Sequence, residues 1–294
     1  MHPAPSVIVF TTLSGFGFGL MFWLGMGATQ ADGMFAFTFT LLAGLPAVIG
    51  LLASTFHLGN PQRALKAFTQ WRSSWLSREG VVSVFTLICF ALYALLWVFF
   101  DTRVTVLGWL AALGALATIF CTAMIYAQLR TVPRWNTALT PLLFTLYALA
   151  LPAMVAMLPV LAMGYLIALI VVQILHWRRG DEGLAGRGHS PESATGLGSI
   201  GQVRLLEAPH SGPNYLMNEM VFKVGRHRAR QLRHLTLIFG FAVPILVLLL
   251  WLAGPFSHWL ILLAALSQFA GTVFSRWLFF AEAEHAVSLY YGHR

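Results

Sequence analysis

The stretch ALTPLLFTLYALALPAMVAMLPVLAMGYLIALIVVQILHW, residues 138–177, carries no Asp, Glu, Lys or Arg. A bilayer core of about 30 Å takes roughly 20 apolar residues of helix, so this run is too long for a single crossing. Pro159 lacks the amide proton that a helix interior needs, and with Leu158 before it the proline marks a hairpin break. The run is therefore read as two spans, Ala138–Ala156 and Val160–Trp177. Read as one span, it would bring the total to seven and put the termini on opposite sides.

Working outward, the same ruler finds Ser6–Ala28, Met34–Phe56, Val81–Phe100, Val104–Ala127, Leu235–Ala253 and His258–Phe280. The expectation is an all-α, polytopic integral membrane protein of eight transmembrane helices. It forms one membrane domain over residues 1–294, with a long loop, 178–234, inside it. Composition agrees: the chain is 58% hydrophobic and 10% charged, against roughly 25% charged in an average soluble domain. Its mean hydropathy is +0.76. These values exclude a soluble globular enzyme. Cys89 and Cys121 are too few for an all-cysteine iron–sulfur cluster, an all-cysteine zinc site or a disulfide scaffold. The first span is too long for the apolar core of a cleavable signal peptide, and no Lys or Arg precedes it.

Charge sets the orientation. With eight spans, the N-terminus, the loops 57–80, 128–137 and 178–234, and the C-terminus share one side. Sixteen of the 18 Lys and Arg residues, from Arg63 to Arg294, fall there; Arg103 alone falls opposite, and Arg276 lies inside the last span. Lys and Arg accumulate in cytoplasmic loops, so both termini and the long loops are expected in the cytoplasm, and the protein in the inner membrane. The pI near 10.1 then records topology and calls for no nucleic acid. Within the long loop, 180–212 is rich in Gly, Ser and Pro. The basic run Lys223-Val-Gly-Arg-His-Arg-Ala-Arg-Gln-Leu-Arg233 reads as an anchor on anionic lipid headgroups, as a docking surface for an acidic partner, or as both.

Ionisable groups in or beside membrane spans are the default functional candidates, because burying them is costly. Here they gather at one depth, the expected cytoplasmic interface: His57 closes span two, Glu79 opens span three, Tyr126 and Arg130 end span four, and Arg276 and Glu282 end span eight. Every histidine lies at a span end, in a loop or in a terminal segment, so no facing imidazoles are expected to hold a haem. Broken helices, repeat symmetry and deep carboxylates, the marks of a transporter or proton pump, are not visible. His57 precedes Gly59 and Pro61, which end a helix. Such a histidine either caps the helix or hydrogen-bonds a quinone carbonyl and exchanges protons, its ordinary pKa being near 6.5. Glu79 is either a first-turn carboxylate behind a Ser77 N-cap or a proton carrier. Arg276 either snorkels to the interface or binds a carboxylate or quinone oxygen. Tyr126, Trp71, Trp75, Trp135 and Trp177 fit an aromatic belt.

Two adjoining segments, His57-Leu-Gly-Asn-Pro-Gln-Arg63-Ala64 and Trp71-Arg-Ser-Ser-Trp-Leu-Ser-Arg-Glu79, resemble the signature of the DMSO reductase membrane-anchor family. Further stretches are similar to the membrane subunit of cytoplasmic sulfite-oxidising enzymes: Cys121-Thr-Ala-Met-Ile-Tyr126-Ala, Val132-Pro-Arg-Trp135, Glu192-Ser-Ala-Thr-Gly-Leu-Gly198, Val203-Arg-Leu-Leu-Glu-Ala-Pro209 and Arg276-Trp-Leu-Phe-Phe-Ala-Glu282.

The resemblance implies eight spans and a haem-free site for ubiquinone or menaquinone. His57 and Glu79 would serve quinone binding and proton handling; Arg276, Tyr126 and Arg130 join them from position. It also implies a direct iron–sulfur partner subunit on the cytoplasmic face and a molybdopterin catalytic subunit beyond it. Metal centres would sit on those partners only, with membrane lipid around this chain. The expected reaction passes electrons from sulfite to quinone. Alternatives are a quinol-oxidising anchor of a DMSO, tetrathionate or polysulfide reductase, and an anchor with no redox role.

Overall fold

A computed structural model describes residues 3–56, 60–207, 210, 228–255 and 257–291. The long helices are α1 (Pro5–Gly25), α2 (Gly33–Thr55), α3 (Trp75–Phe100), α4 (Thr105–Ala127), α5 (Leu139–Val155), α6 (Pro159–Asp181), α7 (Ala229–Ala253) and α8 (Trp259–Ala281). Seven of these are long and apolar enough to cross a membrane; α5, with 17 residues, is shorter. Its rise is about 25 Å, and it is apolar around nearly its whole circumference and packed inside the bundle against α1, α4, α6 and α8. The expected hairpin is present: Pro159 opens α6 at its first position, where its missing amide costs nothing, and Met157 takes a left-handed φ of 61°.

Large apolar side chains point outward along the helices, for example Leu45, Ile49 and Leu52 on α2 and Ile88, Leu92 and Leu95 on α3. The inner faces carry small residues. α1 is the hub, meeting α2, α4, α5 and α8. A Cβ on Gly19 would collide with the Ala148 carbonyl of α5, and Gly25 meets Gly108 of α4 backbone to backbone. Helices in lipid gain from such close approach, since apolar side chains are no better buried by protein than by lipid.

In α7 the ladder widens to a π segment over Ile238–Ala242. Pro244 has no amide to give the Gly240 carbonyl, and a local widening is one way a helix absorbs that loss. Gly240 there touches Gly271 of α8 so closely that a Cβ on Gly271 would meet the Gly240 backbone.

Polar contacts define the two ends of the bundle. At one end Arg103 donates to the Thr29 and Ala31 carbonyls, both at 2.8 Å, and pairs with Asp32 at 3.0 Å. Its guanidinium also lies 4.7 Å over the Trp97 ring. Arg103 thus ties two connections together. At the other end the α4–α5 loop, the end of α6, the start of α7 and the end of α8 are joined by ion pairs. The segment after α8 returns over them: the Ala286 amide donates to the Thr131 carbonyl at 2.8 Å, and the Tyr290 hydroxyl to that of Ala194 at 2.7 Å.

Candidate functional site

Four helices converge on one small cavity. α1 brings Thr11, Ser14, Gly15 and Phe18, α4 brings Ile119 and Thr122, α5 brings Phe144, and α8 brings Arg276. Its volume is about 10 Å³, the room that about one water needs. Arg276 is only 2% exposed. Its guanidinium carbon lies 3.6 Å from the Phe144 ring centre and 5.3 Å from that of Tyr147, in cation–π contact. Its Nε and Nη1 are buried with no hydrogen-bond partner among the described residues. A buried charged donor left unpaired costs more than a neutral one, and native structures keep few of them.

Glu79 reaches the cavity wall through Thr122. The carboxyl is 4% exposed and accepts from the Thr122 hydroxyl. Thr122 also lies 3.0 Å from the Thr118 carbonyl. One hydroxyl proton serves one of these acceptors at a time; a proton carried on Glu79 would let both contacts be satisfied together. Among the described residues, Glu79 forms no ion pair.

On the far side of Arg276 a polar file runs up α6. The Gln173 side-chain Oε1 accepts from the Tyr147 hydroxyl at 2.8 Å and from the Ser275 hydroxyl at 3.0 Å. His176 follows on the same face, 3% exposed and stacked against Phe279 at 5.8 Å. Above it stands a cluster of four charges. Arg134 bonds Asp181 at 2.8 Å and Glu282 at 3.3 Å, while Arg233 bonds Asp181 at 2.5 and 2.8 Å and Glu282 at 2.7 and 3.0 Å. Two cations and two anions balance, so the cluster adds no net charge to the bundle end.

Several sequence-based expectations change. Glu79 does not open its helix behind a Ser77 cap: α3 begins at Trp75, and Ser77 is a buried helical residue whose hydroxyl accepts from the Gln70 amide at 3.1 Å. Arg276 does not snorkel; it is buried in the core. Tyr126 leaves the aromatic belt as well, ringed at 5.3–5.7 Å by Trp135, Phe144, Phe279 and Phe280. Trp135 stacks on Phe279 and donates to its carbonyl at 2.8 Å, and Trp177 is buried too. The interior is also more polar than expected, through Gln173, His176, Gln268 and Ser275.

The structure thus brings Glu79, Tyr126 and Arg276 together, Tyr126 lying within electrostatic reach of both others. It leaves Arg130 apart: that residue is exposed and lines a separate groove with Thr131, Asn136, Arg187, His189 and Ala286. His57 lies outside the described residues. The signal that would have found Gln173 and His176 is their spacing, two polar residues three apart within the apolar stretch of α6 that precedes Arg178.

Comparison with known proteins gives the setting for this cluster. Residues 1–177 match the family described as DMSO reductase anchor subunit (DmsC), a stretch that includes Glu79, Thr122 and Phe144. The chain is also 33% identical to the C subunit of the sulfite dehydrogenase from Allochromatium vinosum, with 99% of each chain covered. No solved structure matches it. With well over half of its length matched by the family, and an all-helical bundle to go with it, the chain belongs to the DMSO reductase anchor subunits.

Proposed function

We propose that this chain is the membrane anchor and quinone-reducing subunit of a molybdopterin and iron–sulfur sulfite dehydrogenase. In this reading α5 is the eighth span, and both termini, the long loops and the ionic end of the bundle face the cytoplasm. An iron–sulfur partner docks on that face, with the molybdopterin subunit behind it. Sulfite and water give sulfate, two protons and two electrons on the partners; quinone takes up two electrons and two protons here. The observation that carries the site is Arg276, buried at 2% exposure with two donor nitrogens unpaired, in one cavity with Thr122, whose hydroxyl meets the Glu79 carboxyl.

The chain's residues divide the work. Arg276 donates to the quinone carbonyl oxygen and stabilises the negative charge that grows there on reduction, as donors aimed at developing charge do. Glu79, through Thr122, holds a proton next to the cavity. His57 joins them on the strength of the family resemblance, as the histidine that meets the second carbonyl or the proton supply. The Phe144 ring covers the face of the guanidinium, and the cavity is far smaller than a quinone ring. Entry therefore requires the Phe144 ring to swing aside and open the cavity to the headgroup.

Purified complex supplied with sulfite and quinone tests the direction. Sulfite-driven quinone reduction supports it; quinol oxidation by a sulfoxide with no sulfite activity would assign the chain to the reductase branch. Replacing Arg276→Gln removes a charge-assisted hydrogen bond worth about 1.5–3 kcal/mol, or about 10–150-fold in rate. The variant complex is expected to assemble and to keep artificial-acceptor activity while quinone reduction falls by that factor. Unchanged quinone reduction would remove Arg276 from the site.

A further inference from the structure

We propose that His176 relays protons from the ionic mouth of the bundle to the Arg276 cavity, a role that rests on the quinone reading above. Both of its ring nitrogens are buried and have no hydrogen-bond partner among the described residues. An imidazole bears a donor on one nitrogen and an acceptor on the other, and leaving both unpaired in a protein interior costs about 1–3 kcal/mol for each. A merely structural residue at this position would be apolar: the ring stacks on Phe279, a contact that a phenylalanine would make equally well. The two nitrogens are explained if they meet water and pass protons.

Placement supplies the two ends of the path. His176 and Gly180 are one turn apart on α6, and the Arg134 guanidinium lies against Gly180, where a Cβ would come within 2.5 Å of Nη1. The charged cluster is therefore stacked directly above the imidazole. It is open to solvent through Asp181, whose side chain is 46% exposed, while Glu282 at 7% forms its inner side. One turn below His176, Gln173 holds the hydroxyls of Tyr147 and Ser275, and Ser275 is the neighbour of Arg276. From Asp181 to Gln173 the rise is about 12 Å. Within it the imidazole is the one group able to take a proton at one nitrogen and release another from the opposite nitrogen.

The groups facing the ring are Arg134 from the α4–α5 loop, Asp181 from α6, Arg233 from α7, and Arg276 and Phe279 from α8. In each relay step one N–H bond forms on the mouth side and one breaks on the cavity side, so the ring ends as the other tautomer and turns back before the next step. Two such steps supply the two protons that accompany the partner's two electrons to each quinone.

The experiment uses the assembled complex with sulfite as donor. In His176→Phe the stack on Phe279 is kept and the nitrogens are lost. Quinone reduction is expected to fall about tenfold or more, within the range for positioned acid–base groups, while artificial-acceptor turnover holds. The solvent deuterium isotope effect on quinone reduction should rise, because proton delivery becomes limiting; a packing defect would not raise it. In His176→Ala added imidazole should restore the rate in a saturable way. Wild-type quinone reduction with an unchanged isotope effect in His176→Phe would overturn the relay, and so would a slowed variant whose isotope effect does not rise. If His176→Ala does not assemble, His176→Phe decides alone. Failure of the relay is separable from failure of the quinone reading: in the first case Arg276→Gln still loses quinone reduction while His176→Phe keeps it, and in the second the wild-type complex reduces no quinone.

Discussion

The first four helices and the last two differ in how their ends are tied, although α7 and α8 also meet through a close glycine pair, Gly240 and Gly271. α1 to α4 meet through small residues: Gly17 packs on Ala43 and Ala47, Gly50 on Ser14, Gly25 on Gly108, and Gly114 on Thr86. Most of their buried hydroxyls bond carbonyls of their own helix, as in Ser14 to Phe10 and Thr86 to Val82, and the Glu79–Thr122 contact is the polar exception at the α3–α4 seam. α8, by contrast, carries Ser275 and Arg276 inward, and its end is bound to α6 and α7 by charges. The first region is a wall that fixes positions; the second is a polar face. The candidate site lies on the seam, with Thr11, Ser14 and Thr122 from the wall, Arg276 from the polar face and Phe144 between them.

That contrast can be broken from either side. The largest effect is expected at Gly19→Val, whose Cβ would collide with the Ala148 carbonyl. Backbone atoms cannot step aside as a side chain can, and overpacking of this kind costs about 3 kcal/mol or more. Monodisperse protein recovered from membranes should fall to a small fraction of wild type. Wild-type recovery would show that α1 and α5 are not in backbone contact. On the polar side Arg233→Ala leaves Asp181 and Glu282 sharing Arg134. Because Asp181 is half exposed, the expected loss is nearer about 2 kcal/mol, read as a lower Tm in detergent. Arg233→Lys keeps the charge but not the two-pronged geometry, and should fall between that variant and wild type. Equal Tm values for all three would mean that the cluster does not brace the bundle.

Much of the architecture was legible in the sequence because it depends on local rules. The hairpin at Pro159 follows from a missing amide, and the apolar stretches follow from the thickness of lipid. The start of α3 was hidden because Arg78 and Glu79 interrupt the apolar window. In the structure Arg78 folds back onto the Trp71 and Arg72 carbonyls at 3.0 and 2.7 Å and lies 4.3 Å over the Trp75 ring, so the helix can begin ahead of the apolar window.

The candidate site was legible in part. Glu79, Tyr126 and Arg276 stood out as ionisable groups near span ends, and they do converge. Their depth did not stand out, because a belt residue and a core residue have the same sequence signature until neighbouring helices are placed. Trp135 and Tyr126 are the clear cases: they are buried against each other, against Phe144 of α5 and against Phe279 and Phe280 of α8. His176 was read as a span end because Arg178 and Arg179 follow it; the helix continues to Asp181 and carries the histidine inside.

Whether the seam around Arg276 receives a quinone headgroup is decided by photolabelling the intact complex with an azidoquinone and mapping the labelled peptides. Label is expected on the segments bearing Thr11 to Phe18, Thr122, Phe144 or Arg276, displaced by excess unmodified quinone and lost in Arg276→Gln. Displaceable label confined to other helices, or to the partner subunits, would contradict it.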